Sequence, residues 1–179
     1  ARNTPIVTFI NKMDREVKPP MELMDEIETA LGIEVVPFTW PVGMGKRFAG
    51  VYDIRKDQMR LFRSGKDRLE TESETLQGFE HPQLADRFGA EFEQAQQEVE
   101  LISGASEEFD KQAFLNGQQT PLFFGSAINN FGVKEVLDAL SELAPAPKPR
   151  VAIQRIVNPD EQAFSGVVFK VQANMDANH

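Results

Sequence analysis

The chain has 179 residues, 41% of them hydrophobic, a formal charge of -9, no cysteine and two histidines, His81 and His179. Its length suits one domain, or one domain with pieces of others, and the apolar share supports a sizeable core. The composition excludes disulfides, thiolate metal sites and a histidine cluster, argues against a general nucleic-acid or sequence-specific DNA surface, and offers no apolar run near the ~20 residues that span a bilayer.

No signal peptide opens the chain, so the simplest expectation is a cytoplasmic protein. Residue 1 is Ala rather than Met, and a strand-like run stops at the other end, so the chain reads as an internal fragment, expected to be monomeric.

Pro5-Ile6-Val7-Thr8-Phe9-Ile10 is short, apolar and partly β-branched, which predicts a central buried strand. Asn11 to Pro19 is polar and reads as a loop. Pro20 suits the first turn of a helix, Leu23, Met24, Ile27 and Leu31 form one apolar stripe, and Gly32 is its stop. Val35 and Val36 open a strand expected to run to Pro41. The order strand, loop, helix, strand predicts a parallel α/β sheet.

The texture then changes. Val51–Ile54 and Met59–Phe62 read as hairpin arms around Arg55-Lys56-Asp57-Gln58. Leu84, Phe88, Phe92, Ala95, Val99 and Ile102 recur every three or four residues, predicting a long helix from His81 to Ser103 closed by Gly104. Ser106 is the expected cap of a shorter helix ending near Gly117. Thr120–Phe124 is a second buried strand, and Val133, Val136, Leu137, Leu140 and Leu143 are the expected inner face of a last helix. Pro145, Pro147 and Pro149 make a stiff linker. Phe164 to Ala173 alternates as a strand would. The expected organisation is an α/β core over 1–44, an α+β insert over 45–117, the core's last strand and helix over 118–147, a linker over 148–162, and a separate β domain opening at 163–179.

The sharpest motif is Asn11-Lys12-Met13-Asp14, directly after the first strand. Ligands of open α/β sheets sit beyond the C-terminal ends of strands. Guanine presents two adjacent donors, N1–H and the exocyclic amine, and a carboxylate at Asp14 can accept both. Adenine offers a lone pair there instead, so such a site discriminates. The Lys12 stem can lie along the flat base, and Asn11 can tie neighbouring loops. Gly125-Ser126-Ala127 follows the second strand, where small residues admit a ring and backbone N–H groups are expected to meet the guanine O6.

Other motifs carry less. Gly43-Met44-Gly45-Lys46-Arg47 misses G-x-x-x-x-G-K-[ST] because Trp40 and Arg47 stand at required positions, so no phosphate cradle is expected. Asp86-Arg87-Phe88-Gly89 fits D-x-x-G but falls in the long helix and reads as structural. Lys46 to Arg68 holds eight basic residues and three Asp; Glu70 to Lys111 holds twelve acidic and two basic. A basic hairpin that touches RNA or an acidic protein, an acidic helix that meets a basic ribosomal protein, and two plainly solvated faces all fit these runs.

Ile6 to Arg15 resembles the guanine-specificity segment of the translational GTPases of the elongation factor G-like family. Pro37 to Gly43 with Phe48 to Asp53 resembles their G-domain insert, and Phe123 to Ala127 with Asn130 to Val133 their last guanine loop and closing helix. Thr39-Trp40-Pro41, Leu143 to Pro147 and Phe169 to Met175 set the chain nearer the branch acting at termination than the translocases.

The resemblance implies an α/β fold: the C-terminal part of a P-loop GTPase G domain, a parallel sheet with flanking helices and an α+β insert, plus the first strand of a β-barrel. It implies GTP and GDP binding, with Mg2+ held outside this chain, and a ribosome-dependent GTPase that drives class I peptide release factors off the ribosome. It places guanine contacts on Asn11, Lys12, Met13, Asp14, Gly125, Ser126 and Ala127, with no catalytic residue here, so the chain alone is expected to be inactive. A translocase fragment and a non-enzymatic α/β interaction module remain the alternatives.

Overall fold

The apolar run Gln119–Phe124 becomes β7, the middle strand of a three-stranded parallel sheet, and all six of its residues are buried. The structure, a computed structural model, describes residues 4–62, 74–79, 81–105, 107–168 and 170–171, with Pro82 and Ala105 as backbone only. β1 (Thr8–Ile10) and β2 (Glu34–Pro37) pair with β7 on either side. The first strand is therefore an edge of the sheet in this chain, with half-buried residues, rather than the fully buried central strand expected.

Alternation across the strands divides the core into two faces. Val35, Leu122 and Phe124 face one cluster, with Met24 of helix α1 (Pro20–Leu31); Val36 and Phe123 face the other, with Ala139 and Leu143 of helix α4 (Val133–Leu143). The result is helix, sheet, helix. α1 begins at Pro20 and ends on Gly32, which is left-handed and donates its N–H to the Glu28 carbonyl.

The strand expected from Val35 to Pro41 is two strands in two sheets. Phe38 still donates to the Leu122 carbonyl, then the chain bends and β3 (Thr39–Val42) joins an antiparallel sheet of order β3-β4-β5-β6. The Thr39 hydroxyl at the bend accepts the Phe124 N–H at 3.0 Å, so the polar atom is satisfied in the core. Trp40 follows, fully buried, edge-on to Phe124 and donating its indole N–H to Glu98 at 2.9 Å. β4 (Gly50–Asp53) and β5 (Gln58–Leu61) form the expected hairpin, and β6 (Thr75–Gln77) pairs with β5.

Helix α2 (Pro82–Ala105) packs Leu84, Phe92, Ala95 and Ile102 inward. It is not one straight rod: Gly89 adopts φ 49°, ψ -123°, a backbone state open to glycine, and kinks it. Gly104 lies within the helix rather than closing it. The shorter helix, α3 (Lys111–Leu115), is capped by Asp110, whose carboxylate accepts the Ala113 N–H at 2.6 Å. Ser106, the expected cap, lies outside the described residues.

α4 is rolled relative to expectation: Leu137 and Leu140 are exposed, while Glu135 is buried. The reason is an ion pair between Glu135 and Arg60 of β5, with side chains 5% and 19% exposed, which turns a charged position into the inner face.

Residues 145–179 form a second unit. Within the expected linker, β8 (Arg150–Val151) pairs antiparallel with β9 (Ile156–Val157), braced by Arg155 on Glu161. The expected strand from Phe164 is not formed among its described residues. Val167, Val168 and Val171 are all exposed, so among the described residues no sheet covers either face of the alternation. Phe169, Gln172 and Ala173 lie outside the described residues.

Candidate functional site

The parallel register Ile10↔Phe124 makes β1 and β7 end side by side, so the loops that follow them meet. Gly125 donates to the Ile10 carbonyl at 3.0 Å, and Met13 donates to the Gly125 carbonyl at 3.0 Å. Asn11 Oδ1 accepts the Lys12 N–H at 2.8 Å and the Ala127 N–H at 2.9 Å, tying the loops as its donor–acceptor chemistry allows. Ser126 Oγ lies 2.5 Å from Asp14 Oδ1. A hydroxyl facing a carboxylate must donate, so this is a short, charge-assisted bond that fixes the carboxylate.

Each expected residue has a distinct place. Lys12 is exposed at φ 70°, a left-handed state uncommon outside glycine, held by the Asn11 bond and by Arg15 N–H on its own carbonyl at 2.9 Å. Met13 points the other way and is fully buried in the core, so only its backbone faces the loops. Asp14 is half-buried, with Oδ2 carrying no hydrogen bond among the described residues. Ser126 is fully buried.

Gly125 has a steric reason. A Cβ there would come 2.3 Å from the Phe131 carbonyl oxygen and 3.0 Å from the Phe9 ring, and one on Gly132 (φ 77°) would meet the Phe124 carbonyl at 2.5 Å. The two glycines let β7's exit and α4's entry touch. Ser126 and Phe131 close that contact with reciprocal N–H···O bonds of 3.0 Å.

The backbone donors expected in Gly125-Ser126-Ala127 are engaged within the chain. Gly125 bonds Ile10, Ser126 bonds Phe131, and Ala127 bonds the Asn11 side chain. Only the last partner is a rotatable side chain, so Ala127 is the one N–H of the three that a side-chain motion can share or release.

Three contributors make contacts that the sequence does not reveal. Gly45 donates its N–H to both the Met13 carbonyl (2.9 Å) and the Arg15 carbonyl (3.1 Å), clamping the Asn11–Asp14 loop from outside the parallel sheet. The signal is Gly43-x-Gly45 itself, which in sequence reads only as a failed phosphate loop. Asn129 Nδ2 donates to Ser126 Oγ at 2.7 Å. Phe131 closes the turn, and Arg60 lies over its ring at 5.9 Å.

The D-x-x-G match is structural. Phe88 of Asp86-Arg87-Phe88-Gly89 packs half-buried against the core. The described arginines of the basic run are paired within the chain, Arg47 with Glu91, Arg55 with Glu142 and Arg60 with Glu135. Residues 63–73 of the two charge runs lie outside the described residues. Arg55 holds the Glu142 carboxyl below its ordinary value, mainly by hydrogen bonding, and burial followed by the Asp57 bond pushes the Tyr52 hydroxyl up. Two clefts of about 120 and 140 Å³ lie elsewhere, one against α4 and Arg55, the other against α2 and Arg47. Among the described residues no acidic or histidine cluster fits a metal ion, and no helix is long and apolar enough to cross a membrane.

Residues 1–146 match the family described as elongation factor Tu GTP binding domain. Among curated proteins, peptide chain release factor 3 of Bordetella petrii is 62% identical over 179 residues, all of this chain and 34% of that protein. Its namesake from Nitrosomonas europaea is 64% identical over 180 residues, again all of this chain and 34% of the relative. The chain thus spans about a third of the length of these relatives. Among solved structures, the crystal structure of ttk003000868 from Thermus thermophilus aligns with TM-score 0.52 and 17% identity over 80% of this chain and 23% of that one, a likeness of fold.

Proposed function

The chain belongs to the elongation factor Tu GTP-binding domain family, and from that premise we propose that it supplies guanine recognition to a ribosome-dependent GTPase that releases class I peptide release factors after termination. The single observation that carries the guanine reading is the Ser126–Asp14 bond at 2.5 Å. It holds a carboxylate at the end of a parallel strand with Oδ2 and spare lone pairs of Oδ1 open to two donors.

The residues fit a guanine base. Asp14 accepts N1–H and the exocyclic amine. Lys12, exposed on its left-handed turn, lays its stem along the ring. Asn11 holds the Ala127 N–H at the mouth of the site, and a shift of the Asn11 side chain shares or releases it to O6. Met13 acts through backbone alone, and Gly125 gives the close approach. GTP supplies the bond that is cleaved; in this proposal the phosphates and their Mg2+ are held outside this chain, which carries no G-x-x-x-x-G-K-[ST] sequence. Positioning and charge neutralisation at the γ-phosphate do most of the work in such reactions, so the chain alone binds nucleotide weakly and does not hydrolyse it.

The termination role rests on relatives more than 60% identical across the whole chain. Its test is a recycling assay with the full-length protein and ribosomes carrying a bound class I release factor. GTP-dependent dissociation of that factor, without translocation, is the expected result. Translocation without dissociation would move the chain to the elongation factor G-like branch, and indifference to guanine nucleotides would leave an interaction module.

A further inference from the structure

We infer that Asn129 is a positioning residue for guanine specificity, acting on Asp14 through the Ser126 hydroxyl; the inference rests on the guanine reading above. Ser126 is fully buried, so its hydroxyl is shielded from solvent. Two polar groups flank it: Asp14 Oδ1 at 2.5 Å and Asn129 Nδ2 at 2.7 Å. A hydroxyl owns one hydrogen, and a carboxylate only accepts. That hydrogen must therefore go to Asp14.

The third group is then forced. Ser126 Oγ, having given its hydrogen away, can only accept from residue 129, and the amide must present its NH2 face. With its oxygen turned in, it would compete with Asp14 for the same hydrogen. The order Asn129 N–H to Ser126 O–H to Asp14 carboxylate is a one-way chain in which each bond polarises the next. Asn129 is half-exposed at the end of the 3-10 turn Ala127–Asn129, and its own backbone N–H is spent on the Ser126 carbonyl at 3.1 Å, so backbone and side chain grip the same residue.

The consequence is directional. With the Ser126 hydrogen pinned to Oδ1, the carboxylate cannot rotate freely, and its remaining lone pairs stay aimed outward. Loss of the Asn129 donor lets the Ser126 hydroxyl and the carboxylate turn. The contact most sensitive to carboxylate orientation is the one that distinguishes guanine from hypoxanthine, the exocyclic amine.

The test uses the full-length protein and compares GDP, IDP and ADP in equilibrium titrations. For Asn129→Ala we expect GDP affinity to fall about 3- to 10-fold, the range of one hydrogen bond, with a smaller loss for IDP. Asn129→Asp, nearly isosteric, should lose more than Asn129→Ala, because a second acceptor contests the hydrogen and sets a like charge near Asp14. In a Ser126→Ala background, Asn129→Ala should change GDP affinity by less than about twofold, because the chain is already cut. Equal losses for GDP and IDP, or an undiminished effect without the Ser126 hydroxyl, would reduce Asn129 to a structural role and overturn the inference. Circular dichroism checks folding, and if Asn129→Ala does not fold, Asn129→Asp carries the comparison. The two levels separate cleanly: wild-type protein that does not prefer GDP to ADP defeats the guanine reading, while a guanine-selective protein indifferent to residue 129 defeats only this inference.

Discussion

Arg60→Ala should destabilise the folded chain more than any surface substitution in it. Arg60 and Glu135 join β5 to the first turn of α4 with side chains 19% and 5% exposed. Glu135 Oε2 is buried and has no hydrogen-bond partner among the described residues. Removing the guanidinium leaves a carboxylate in the interior with neither oxygen compensated, which costs about 3–5 kcal/mol. Glu135→Ala leaves the cation instead, and Arg60 keeps its place over the Phe131 ring and further contacts, so the cost should be nearer that of one charged hydrogen bond, about 2 kcal/mol. Replacing both, Arg60→Met with Glu135→Leu, removes the charges together and should return to within about 1 kcal/mol of the parent. Urea unfolding of the chain gives the three differences. For a unit of this size a loss of about 3 kcal/mol also lowers Tm by about 6–12 °C. An Arg60→Ala variant within about 1 kcal/mol of the parent, or a double variant no better than Arg60→Ala, would refute the reasoning.

Other expectations follow from the same geometry. Gly125→Ala forces a methyl to within 2.3 Å of the Phe131 oxygen; it should cost about 1–3 kcal/mol by urea unfolding and weaken guanine nucleotide binding by the full-length protein. Asp110→Ala removes the cap of α3 and should cost about 1 kcal/mol in the same measurement. For pH, Arg55 first and foremost holds Glu142 below its ordinary 4.5, and Lys134 holds Asp138 below 3.8. Depressed folded-state values stabilise above the unfolded values and lose that contribution as pH falls through the folded ones, so the effect appears below about pH 4.5. Glu142 is 56% exposed, so Arg55→Ala should flatten this acid limb by no more than about 0.5 kcal/mol, and less in high salt.

Sequence carried the elements whose signals are local. Pro20 and Gly32 bracket α1 because one tolerates a first helical turn and the other a left-handed exit. Asn11–Asp14 is readable as a site motif because it abuts an apolar strand, where the chain must emerge at a sheet's end. The rest depends on partners distant in sequence. The apolar stretch Val35 to Val42 has no period to mark where one sheet is exchanged for another; Thr39 marks the bend only through its bond to Phe124, 85 residues on. The roll of α4 is hidden because Glu135 reads as a solvent residue until Arg60, 75 residues away, meets it. Gly89 kinks a helix whose apolar spacing continues undisturbed on either side. Asn129 stands in the sequence only as the first residue of the Asn129–Gly132 run behind Gly125-Ser126-Ala127, and its significance lies in a hydrogen that only the count of donors around Ser126 assigns.

The most direct test of guanine recognition is the base preference of Asp14→Asn in the full-length protein, read as GDP and XDP dissociation constants by fluorescent-nucleotide titration. Asparagine offers one donor and one acceptor where aspartate offers two acceptors, matching xanthine, whose carbonyl replaces the amine. The account predicts a GDP affinity lower by at least about 100-fold and an XDP affinity raised above it. Unchanged GDP affinity would contradict it and remove Asp14 from the site.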